Sequence, residues 1–282
     1  MTHVAFLGTG LLGSALIEAA AKRGDLVVAW NRTLEKARAL EAHGVTVAKT
    51  PADAVRGAVR VHLVLKDDDS VESVIAEMRP GLRPQTIVVD HTTTQPARTA
   101  ERVRRLNAEG VRYIHCPVFI GPAAARKSEG TILSSGPRAL FDEIQGVLSK
   151  MAERVEYLGE RPDLAAVFKL CGNAYIIGTS GLIADVFAIA SSADVPSATI
   201  AHVFDFLNPA AILAGRAKNM ERRNYTPFFE LMMARKDLRL MLETSARPLA
   251  MLPGLAARMD ALIEEGHAGD DLAIVGKDSV SR

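Results

Sequence analysis

The first half of the chain alternates between short apolar runs and longer stretches whose apolar positions have a helical spacing. The short runs are rich in Val, Ile and Leu, which is typical of buried strands. We predict strands at residues 4–7, 26–30, 46–48, 61–65, 86–89 and 112–118. Helices are predicted at residues 11–23, 33–42 and 70–78, and from about residues 50 and 94 or 95. This alternation predicts a parallel sheet with helices on both faces.

The pattern changes after residues 161 and 162. Just before that point, residues 131–134 and 155–158 could add two strands, with a helix at 137–151 between them. Beyond it no run of strand length stands out, and helices are predicted at residues 163–193, 196–207, 209–220, 228–245 and 249–265. We therefore predict an α/β domain over residues 1–161 and an all-α domain over residues 162–282.

The longest predicted helix is apolar enough to resemble a membrane span. Asn173, Asp185 and several Gly, Ser and Thr residues interrupt its apolar sequence. Such polar groups are costly in a bilayer, so we expect a buried helix of a folded domain and no membrane partner. The helix is apolar around most of its circumference, and this apolar surface is larger than one small domain can cover. We therefore also expect at least a dimer.

Composition and charge narrow the class of protein further. The chain has 282 residues, of which 48% are hydrophobic, and this indicates a folded protein of two domains. Its 34 basic residues nearly balance its 33 acidic residues, which excludes a polybasic nucleic-acid binder. The only cysteines, Cys116 and Cys171, are too few for a disulfide framework. No targeting segment precedes the first predicted strand, so we expect a cytoplasmic protein.

A glycine-rich turn joins the first predicted strand to the first predicted helix. Its pattern is G-x-G-x-x-G, and the context of strand, turn and helix is that of a dinucleotide-binding Rossmann domain. Gly8 permits the tight turn, Gly10 lets a pyrophosphate approach the backbone, and Gly13 allows close packing of helix and strand. The predicted cofactor-binding residues of this turn are Gly8, Thr9, Gly10, Leu11, Leu12 and Gly13.

The residues that end the second predicted strand indicate which dinucleotide is bound. An NAD site would place Asp or Glu there for the ribose 2′-hydroxyl, whereas this chain has Asn31, Arg32 and Thr33. Arg32 can pair with a 2′-phosphate, and the other two can donate uncharged hydrogen bonds. We therefore predict NADP as the cofactor.

Five motifs in order resemble the β-hydroxyacid dehydrogenases, the family of 3-hydroxyisobutyrate dehydrogenase and the glyoxylate/succinic semialdehyde reductases. They are the glycine turn, Asp90-His91-Thr92-Thr93, the segment from Pro117 to Gly121, Lys169-Leu170-Cys171-Gly172-Asn173, and Lys236-Asp237-Leu238. The resemblance covers nearly the whole chain. It implies an N-terminal Rossmann domain, a long interdomain helix and an all-α C-terminal domain that forms a homodimer.

The resemblance also implies site residues. Lys169 matches the family's general acid/base, and Asn173, four residues on, shares its helical face. Lys236 matches a second lysine near the nicotinamide, although a surface pair with Asp237 is the alternative. Further cofactor contacts are predicted at Leu65, Lys66 and Thr92, and substrate contacts at Thr93, Val118, Phe119, Ile120, Gly121 and Lys236.

The chain departs from the family at the substrate loop. Phe119 and Ile120 stand where the family has a Ser and a Gly that hold a carboxylate, and Gly172 stands where it often has a second Asn. An apolar pocket is therefore expected. Three consecutive acids, 67–69, open a helix and complement its dipole, and the histidines lack ligand spacing, so no metal site is expected.

These observations favour an NADPH-dependent oxidoreductase that acts on a small carbonyl or hydroxyacid-like compound. Reduction of an imine or a bulkier aldehyde is the first alternative, favoured by Phe119 and Ile120. A non-catalytic NADP-binding protein on the same fold is the second, and the presence of both Lys169 and Asn173 argues against it.

Overall fold

A six-stranded parallel sheet forms the centre of the first of two compact units. The computed structural model describes residues 2–280, and the first unit ends at Asn173 while the second begins at Ala174. The sheet strands are β1 (His3–Leu7), β2 (Val27–Trp30), β3 (Thr46–Val47), β4 (Ala58–Leu63), β5 (Ile87–Asp90) and β6 (Arg112–His115). Their order is β3-β2-β1-β4-β5-β6, and every neighbouring pair is parallel.

Helices cover both faces of this sheet. In β1, Val4 and Phe6 belong to one buried cluster, and Ala5 and Leu7 belong to another, because successive side chains point to opposite faces. The helices of this unit are α1 (Leu11–Lys22), α2 (Leu34–Arg38), α3 (Pro51–Val55), α4 (Asp68–Met78), α5 (Pro96–Ala108), α6 (Pro122–Ala125) and α7 (Arg138–Leu148). Single 3₁₀ turns occur at Glu41–His43 and Arg79–Gly81. The predicted α/β class is confirmed.

A second, three-stranded sheet follows the first. It consists of β7 (Val118–Phe119), β8 (Thr131–Ser134) and β9 (Arg154–Tyr157), with β7 antiparallel and β9 parallel to β8. The prediction of one strand over residues 112–118 is therefore wrong. Pro117 has no N–H to continue the ladder, and the chain leaves the first sheet before it.

One long helix begins in the first unit and ends in the second. This helix, α8 (Leu164–Ser192), matches the predicted range closely. The units divide inside it, after the predicted boundary at residues 161 and 162. Its first turn packs within the first unit: Ala165 and Ala166 are buried, and the Ala165 N–H donates a 2.9 Å hydrogen bond to the Ser135 hydroxyl.

The second unit is helical, as predicted. Beyond α8 it contains α9 (Ser197–Ile200), α10 (Val203–Phe206), α11 (Pro209–Glu221), α12 (Leu231–Thr244), α13 (Leu252–Glu264) and a 3₁₀ turn at Leu272–Gly276. The single helix predicted over residues 196–207 is thus two short helices. Leu238, Leu252 and Met259 belong to a buried cluster that joins α12 and α13.

The α8 helix is less covered than expected. By length and composition it could cross a membrane, and 11% of its most apolar window is buried within the chain. Ile176 is 53% exposed and Ile177 is 71% exposed, so the expectation of a buried helix is wrong for the single chain. Asp185, in contrast, is buried and accepts hydrogen bonds from the Ala250, Met251 and Leu252 N–H groups, which open α13.

Candidate functional site

A cleft of about 610 Å³ opens in the first unit, where segments follow the carboxyl ends of β1, β2, β4 and β5. The chain passes from β1 to β2 on one side and returns to β4 on the other, so this is the switch point of the sheet. Ligands of open parallel sheets bind at such points. The lining residues are 8, 10–13, 30–33, 36, 64–66, 70, 73, 74, 77, 91–93, 118, 120 and 169.

The glycine turn is packed tightly on its inner side and open on its outer side. Gly8 has a φ of +110°, and a Cβ there would lie 2.2 Å from the Val64 carbonyl oxygen. A Cβ on Gly13 would lie 2.1 Å from the Gly8 carbonyl oxygen. At Gly10, in contrast, a Cβ would meet nothing within 4 Å. The turn therefore holds β1 against α1 and leaves the Gly10 backbone free for a ligand.

Asn31 fastens the end of β2 to this turn. Its Oδ1 accepts a 3.1 Å hydrogen bond from the Thr9 N–H, and its Nδ2 donates a 2.9 Å hydrogen bond to the Thr33 carbonyl oxygen. Thr9 itself is buried, and its hydroxyl has no hydrogen-bond partner within residues 2–280. The structure therefore gives Asn31 a role in shaping the turn, in addition to the predicted contact with the cofactor.

A small basic patch follows β2. Arg32 and Thr33 are exposed and line the cleft, as does Lys36 in the first turn of α2. Sequence reasoning missed Lys36, although it lies three residues after Thr33 and therefore close to it on the same side of the helix. Ser73 and Glu77 of α4 also line the cleft, and the Ser73 hydroxyl donates a 2.9 Å hydrogen bond to the Glu77 carboxylate.

The segments after β4 and β5 hold each other by hydrogen bonds. The Leu65 N–H donates to the Thr92 hydroxyl at 3.1 Å, and the Thr92 N–H donates to the buried Asp90 carboxylate at 2.9 Å. Asp90 also accepts a hydrogen bond from the buried Tyr113 hydroxyl, at 2.5 Å. Three predicted contact residues, Leu65, Thr92 and Thr93, thus line a part of the cleft whose backbone is held in place.

Buried histidines extend from this segment into the core. The Arg60 Nε–H donates a hydrogen bond to His62 Nε2 at 2.8 Å, so the proton of the neutral His62 ring lies on Nδ1. This Nδ1–H donates a hydrogen bond to His91 Nε2, also at 2.8 Å. His91 Nδ1 then donates to the Cys116 carbonyl oxygen at 2.7 Å. Burial lowers the pKa of His91 to about 4, and burial holds the pKa of His62 well below its usual range. Both imidazoles are therefore neutral at neutral pH.

Lys169 forms one wall of the cleft. It is 9% exposed, and its Nζ donates a 2.9 Å hydrogen bond to the Asn173 Oδ1 one turn further along α8. Burial lowers the pKa of the Lys169 amine. Within residues 2–280, no carboxylate forms an ion pair with this ammonium, whose other close neighbour is the face of the Phe119 ring, 4.2 Å from Nζ to the centroid.

The substrate loop places its apolar residues in two different positions. Val118 and Ile120 line the cleft, as predicted for an apolar pocket. The Phe119 ring packs instead beneath Lys169 and against Gly172. Gly121 is the N-cap of the short helix α6, and a Cβ there would meet nothing within 4 Å.

Comparison with known proteins agrees with this geometry. The family model described as the NAD binding domain of 6-phosphogluconate dehydrogenase matches residues 3–159, which is more than half of the chain. The chain belongs to this family. The match spans the whole NAD-binding domain, from β1 through β9, and the resemblance to β-hydroxyacid dehydrogenases predicted from the sequence is confirmed at this level.

Two relatives and one solved structure show how similar this NAD-binding family member is to individual proteins. The chain is 27% identical to glyoxylate/succinic semialdehyde reductase 1 of Arabidopsis thaliana, over 92% of this chain and 91% of that protein. It is 26% identical to the human (Homo sapiens) cytokine-like nuclear factor N-PAC, over 84% of this chain and 43% of that protein. An imine reductase from Myxococcus stipitatus in complex with NADP⁺ has the same fold, with a TM-score of 0.88, 21% identity and coverage of 98% and 99% of the two chains.

Both lysines that were predicted to contact the cofactor have acidic neighbours. Lys66, at the edge of the NAD-binding cleft, has an 86% exposed side chain with its Nζ 3.7 Å from Asp67. Lys236 lies in α12, and its Nζ is 2.7 Å from Asp237, which is the pair that the alternative interpretation expected. The role of Lys236 at the cofactor stays a prediction.

Proposed function

We propose that this chain is an NADPH-dependent oxidoreductase of the β-hydroxyacid dehydrogenase type, which acts on a small carbonyl or hydroxy compound with Lys169 as general acid/base. When bound, NADPH supplies the hydride. One observation carries the proposal: the hydrogen-bonded pair of Lys169 and Asn173 belongs to the same compact unit as the glycine turn, and Lys169 lines the same cleft.

The cleft has the features that a dinucleotide needs. The open space beside Gly10 leaves room for a pyrophosphate next to the backbone. The N-terminal N–H groups of α1, which begins at Leu11, favour an anion at that point. This combination of an open turn and a helix N-terminus supports the dinucleotide.

The residues after β2 support NADP over NAD. Arg32, Thr33 and Lys36 line the cleft together, and a 2′-phosphate would form charge-assisted hydrogen bonds with the two cations. The first residue beyond β2 is the amide Asn31, so the carboxylate that would accept a hydrogen bond from a ribose 2′-hydroxyl is missing at that position.

Lys169 is suited to proton transfer by its surroundings. Burial lowers the pKa of its amine, which brings that pKa closer to neutrality, where a general acid/base works best. Asn173 Oδ1 holds one of the three N–H groups and thereby orients the other two. In reduction, Nζ donates a proton to the substrate oxygen as that oxygen gains charge, and in oxidation the neutral amine removes it.

Reduction of an imine or of a bulky aldehyde is the second candidate function. The apolar side chains of Val118 and Ile120 in the cleft favour it, because they offer no hydrogen bond to a short anionic substrate. The imine reductase neighbour adds support at the level of the fold. A non-catalytic NADP-binding protein is the third candidate, since one relative is named a nuclear factor.

The decisive experiment is a substrate panel. Aldehydes, keto acids and cyclic imines are assayed with NADPH and with NADH, using the wild-type protein, Lys169→Ala and the exposed-lysine control Lys150→Ala. We expect carbonyl-dependent oxidation of NADPH that Lys169→Ala slows by about 10²- to 10⁴-fold and Lys150→Ala leaves unchanged. Turnover confined to imines would favour the second candidate. Binding of NADPH without turnover of any compound would favour the third.

We also propose that the chain works as a cytoplasmic homodimer without a membrane or nucleic-acid partner. The exposed apolar face of α8, with Ile176 and Ile177, supports a second copy as its cover. Sedimentation at micromolar concentration should show a species twice the 30.3 kDa mass of the chain. A 30.3 kDa species alone would contradict this assembly.

A further inference from the structure

Two departures from the family pattern are in direct contact. Phe119 replaces the family's Ser in the substrate loop, and Gly172 replaces an Asn that the family often carries in the long helix. A Cβ on Gly172 would lie 2.3 Å from Cζ and 2.7 Å from Cε1 of the Phe119 ring. Such distances are not possible for real atoms, so the ring occupies space that exists only because residue 172 is glycine.

The backbone holds Phe119 in this position. In β7 it pairs with Thr131 of β8, and its carbonyl oxygen would lie 2.8 Å from a Cβ on Gly130. The backbone of Phe119 is therefore fixed beside α8, and the ring can leave Gly172 only by a change of side-chain rotamer. Glycine within a helix lowers stability relative to alanine. The space that the Phe119 ring needs explains why α8 has a glycine at position 172.

The face of this ring covers the Lys169 ammonium. Nζ lies 4.2 Å from the ring centroid, within the range in which the negative face of an aromatic ring attracts a cation. The Asn173 amide oxygen is the other partner of Nζ, and it carries no formal charge. With no carboxylate paired to Lys169 in residues 2–280, the ring acts in place of a counter-ion.

We infer that Phe119, seated on Gly172, is a positioning residue that holds the Lys169 ammonium by a cation–π contact and stabilises its protonated form. The inference rests on the proposed function, in which Lys169 is the proton donor. The contact opposes the effect of burial, which lowers the pKa of this amine. Phe119 thus helps to keep Lys169 protonated for reduction while it replaces the polar groups of the family's loop.

The first test measures the titration of Lys169 without any substrate. Acetic anhydride labelling at a series of pH values, followed by mass spectrometry, gives the pKa of Lys169, with the exposed Lys150 as internal control. Phe119→Leu removes the ring face and should lower this pKa by about 0.4 to 1.5 units. 3,5-Difluorophenylalanine at position 119 weakens the negative ring face and should lower the pKa by a smaller amount within that range. The difluoro ring keeps the packing, so a merely structural role predicts no change in that protein. An unchanged Lys169 pKa in both proteins overturns the inference.

The second test concerns the seat of the ring. Gly172→Ala should lower Tm, whereas Gly146→Ala in α7, where a Cβ would meet nothing within 4 Å, should raise it. In a Phe119→Ala background, Gly172→Ala should raise Tm as well. A rise in Tm on Gly172→Ala in the wild-type background would show that the ring does not need this glycine and would overturn the coupling.

The third test connects the contact to the reaction. The pH profile of kcat for the best carbonyl substrate should move by the same amount as the Lys169 pKa in the difluoro protein. A shift in labelling without a shift in the profile would overturn the role of Phe119 in catalysis. If no substrate turns over while the labelling shift occurs, the proposed function fails and the cation–π contact stands, so the two failures are distinguishable.

Discussion

Alanine substitutions at two glycines of the turn should separate folding from cofactor binding. Gly13→Ala should destabilise the protein, and Gly10→Ala should leave the fold intact while it weakens NADPH binding. The reason is that a Cβ on Gly13 would lie 2.1 Å from the Gly8 carbonyl oxygen, whereas a Cβ on Gly10 would enter open space. Gly10 also has an ordinary φ of −68°, so alanine causes no backbone strain there.

The size of the first effect follows from the overlap. Ordinary van der Waals contact of a Cβ begins at 3.4 Å, so α1 must move from β1 by more than about 1 Å to admit a methyl group in place of the Gly13 hydrogen. Gly8 has no room to retreat towards Val64, because even a Cβ on Gly8 would lie only 2.2 Å from the Val64 carbonyl oxygen. A cost of about 3 kcal/mol, at the upper end for overpacking, lowers Tm by about 6–12 °C in a chain of this size.

Thermal unfolding with and without NADPH measures both effects. NADPH at 100 times its Kd should stabilise the wild-type protein by about 2.7 kcal/mol, and Gly10→Ala should lose most of the corresponding rise in Tm. Without NADPH, Gly10→Ala should unfold at the wild-type temperature. The reasoning is refuted if Gly10→Ala keeps the full rise with NADPH, or if Gly13→Ala unfolds at the wild-type temperature.

Three further substitutions or conditions test other parts of the molecule. Arg32→Ala should raise the Kd of NADPH by about 5- to 150-fold and leave that of NADH unchanged in calorimetric titration, and equal weakening of both would contradict the 2′-phosphate assignment. The rate of reduction should be constant at low pH within the folded range and fall as the pH rises through the lowered Lys169 pKa, with oxidation showing the opposite slope; a flat profile would argue for another proton donor. Burial acts to raise the Asp185 pKa, but three backbone N–H groups lower it overall, so Asp185→Asn should reduce the free energy of unfolding by about 1–3 kcal/mol near neutral pH in urea titrations. That difference should shrink as the pH falls below the ordinary Asp range through the lowered folded-state pKa of Asp185, and a difference that does not change with pH would show that the charge is not responsible.

The sequence was sufficient for those parts of the structure that local pattern determines. The β-branched runs predicted the central sheet because its parallel strands are buried on both faces. The glycine turn was predictable in detail, since Gly8 and Gly13 each meet a steric requirement that local geometry sets and Gly10 leaves the backbone open to a ligand. The four-residue spacing of Lys169 and Asn173 likewise predicted a contact that the structure contains.

Contacts between distant segments could not be predicted in this way. The packing of Phe119 on Gly172 depends on how β7 lies against α8, and nothing in either motif alone encodes that distance. The hydrogen bond of His62 to His91 depends on the parallel register of β4 and β5. Lys36, in contrast, could have been predicted from the sequence, because it is a basic residue in the first helical turn after Arg32 and Thr33.

The buried imidazoles make the first unit sensitive to acid in a manner unrelated to the chemistry of the cleft. Burial lowers the pKa values of His62, His91 and His115, whereas in an unfolded chain each would titrate near 6.5. Below that pH the unfolded state takes up protons that the folded state refuses. Each histidine then removes up to about 1.4 kcal/mol of stability per pH unit, and for His91 this continues down to about pH 4.

A loss of activity in mild acid would therefore result from unfolding of the first unit and not from the loss of a protonated donor. A fall in pH can only increase the protonated fraction of Lys169, so the reductive step itself has no reason to slow. A ligand that binds only the folded state offsets the proton uptake by mass action. The lowest pH at which this protein stays folded should accordingly decrease as the NADPH concentration rises. The supply of cofactor would then determine how much acid the folded protein tolerates.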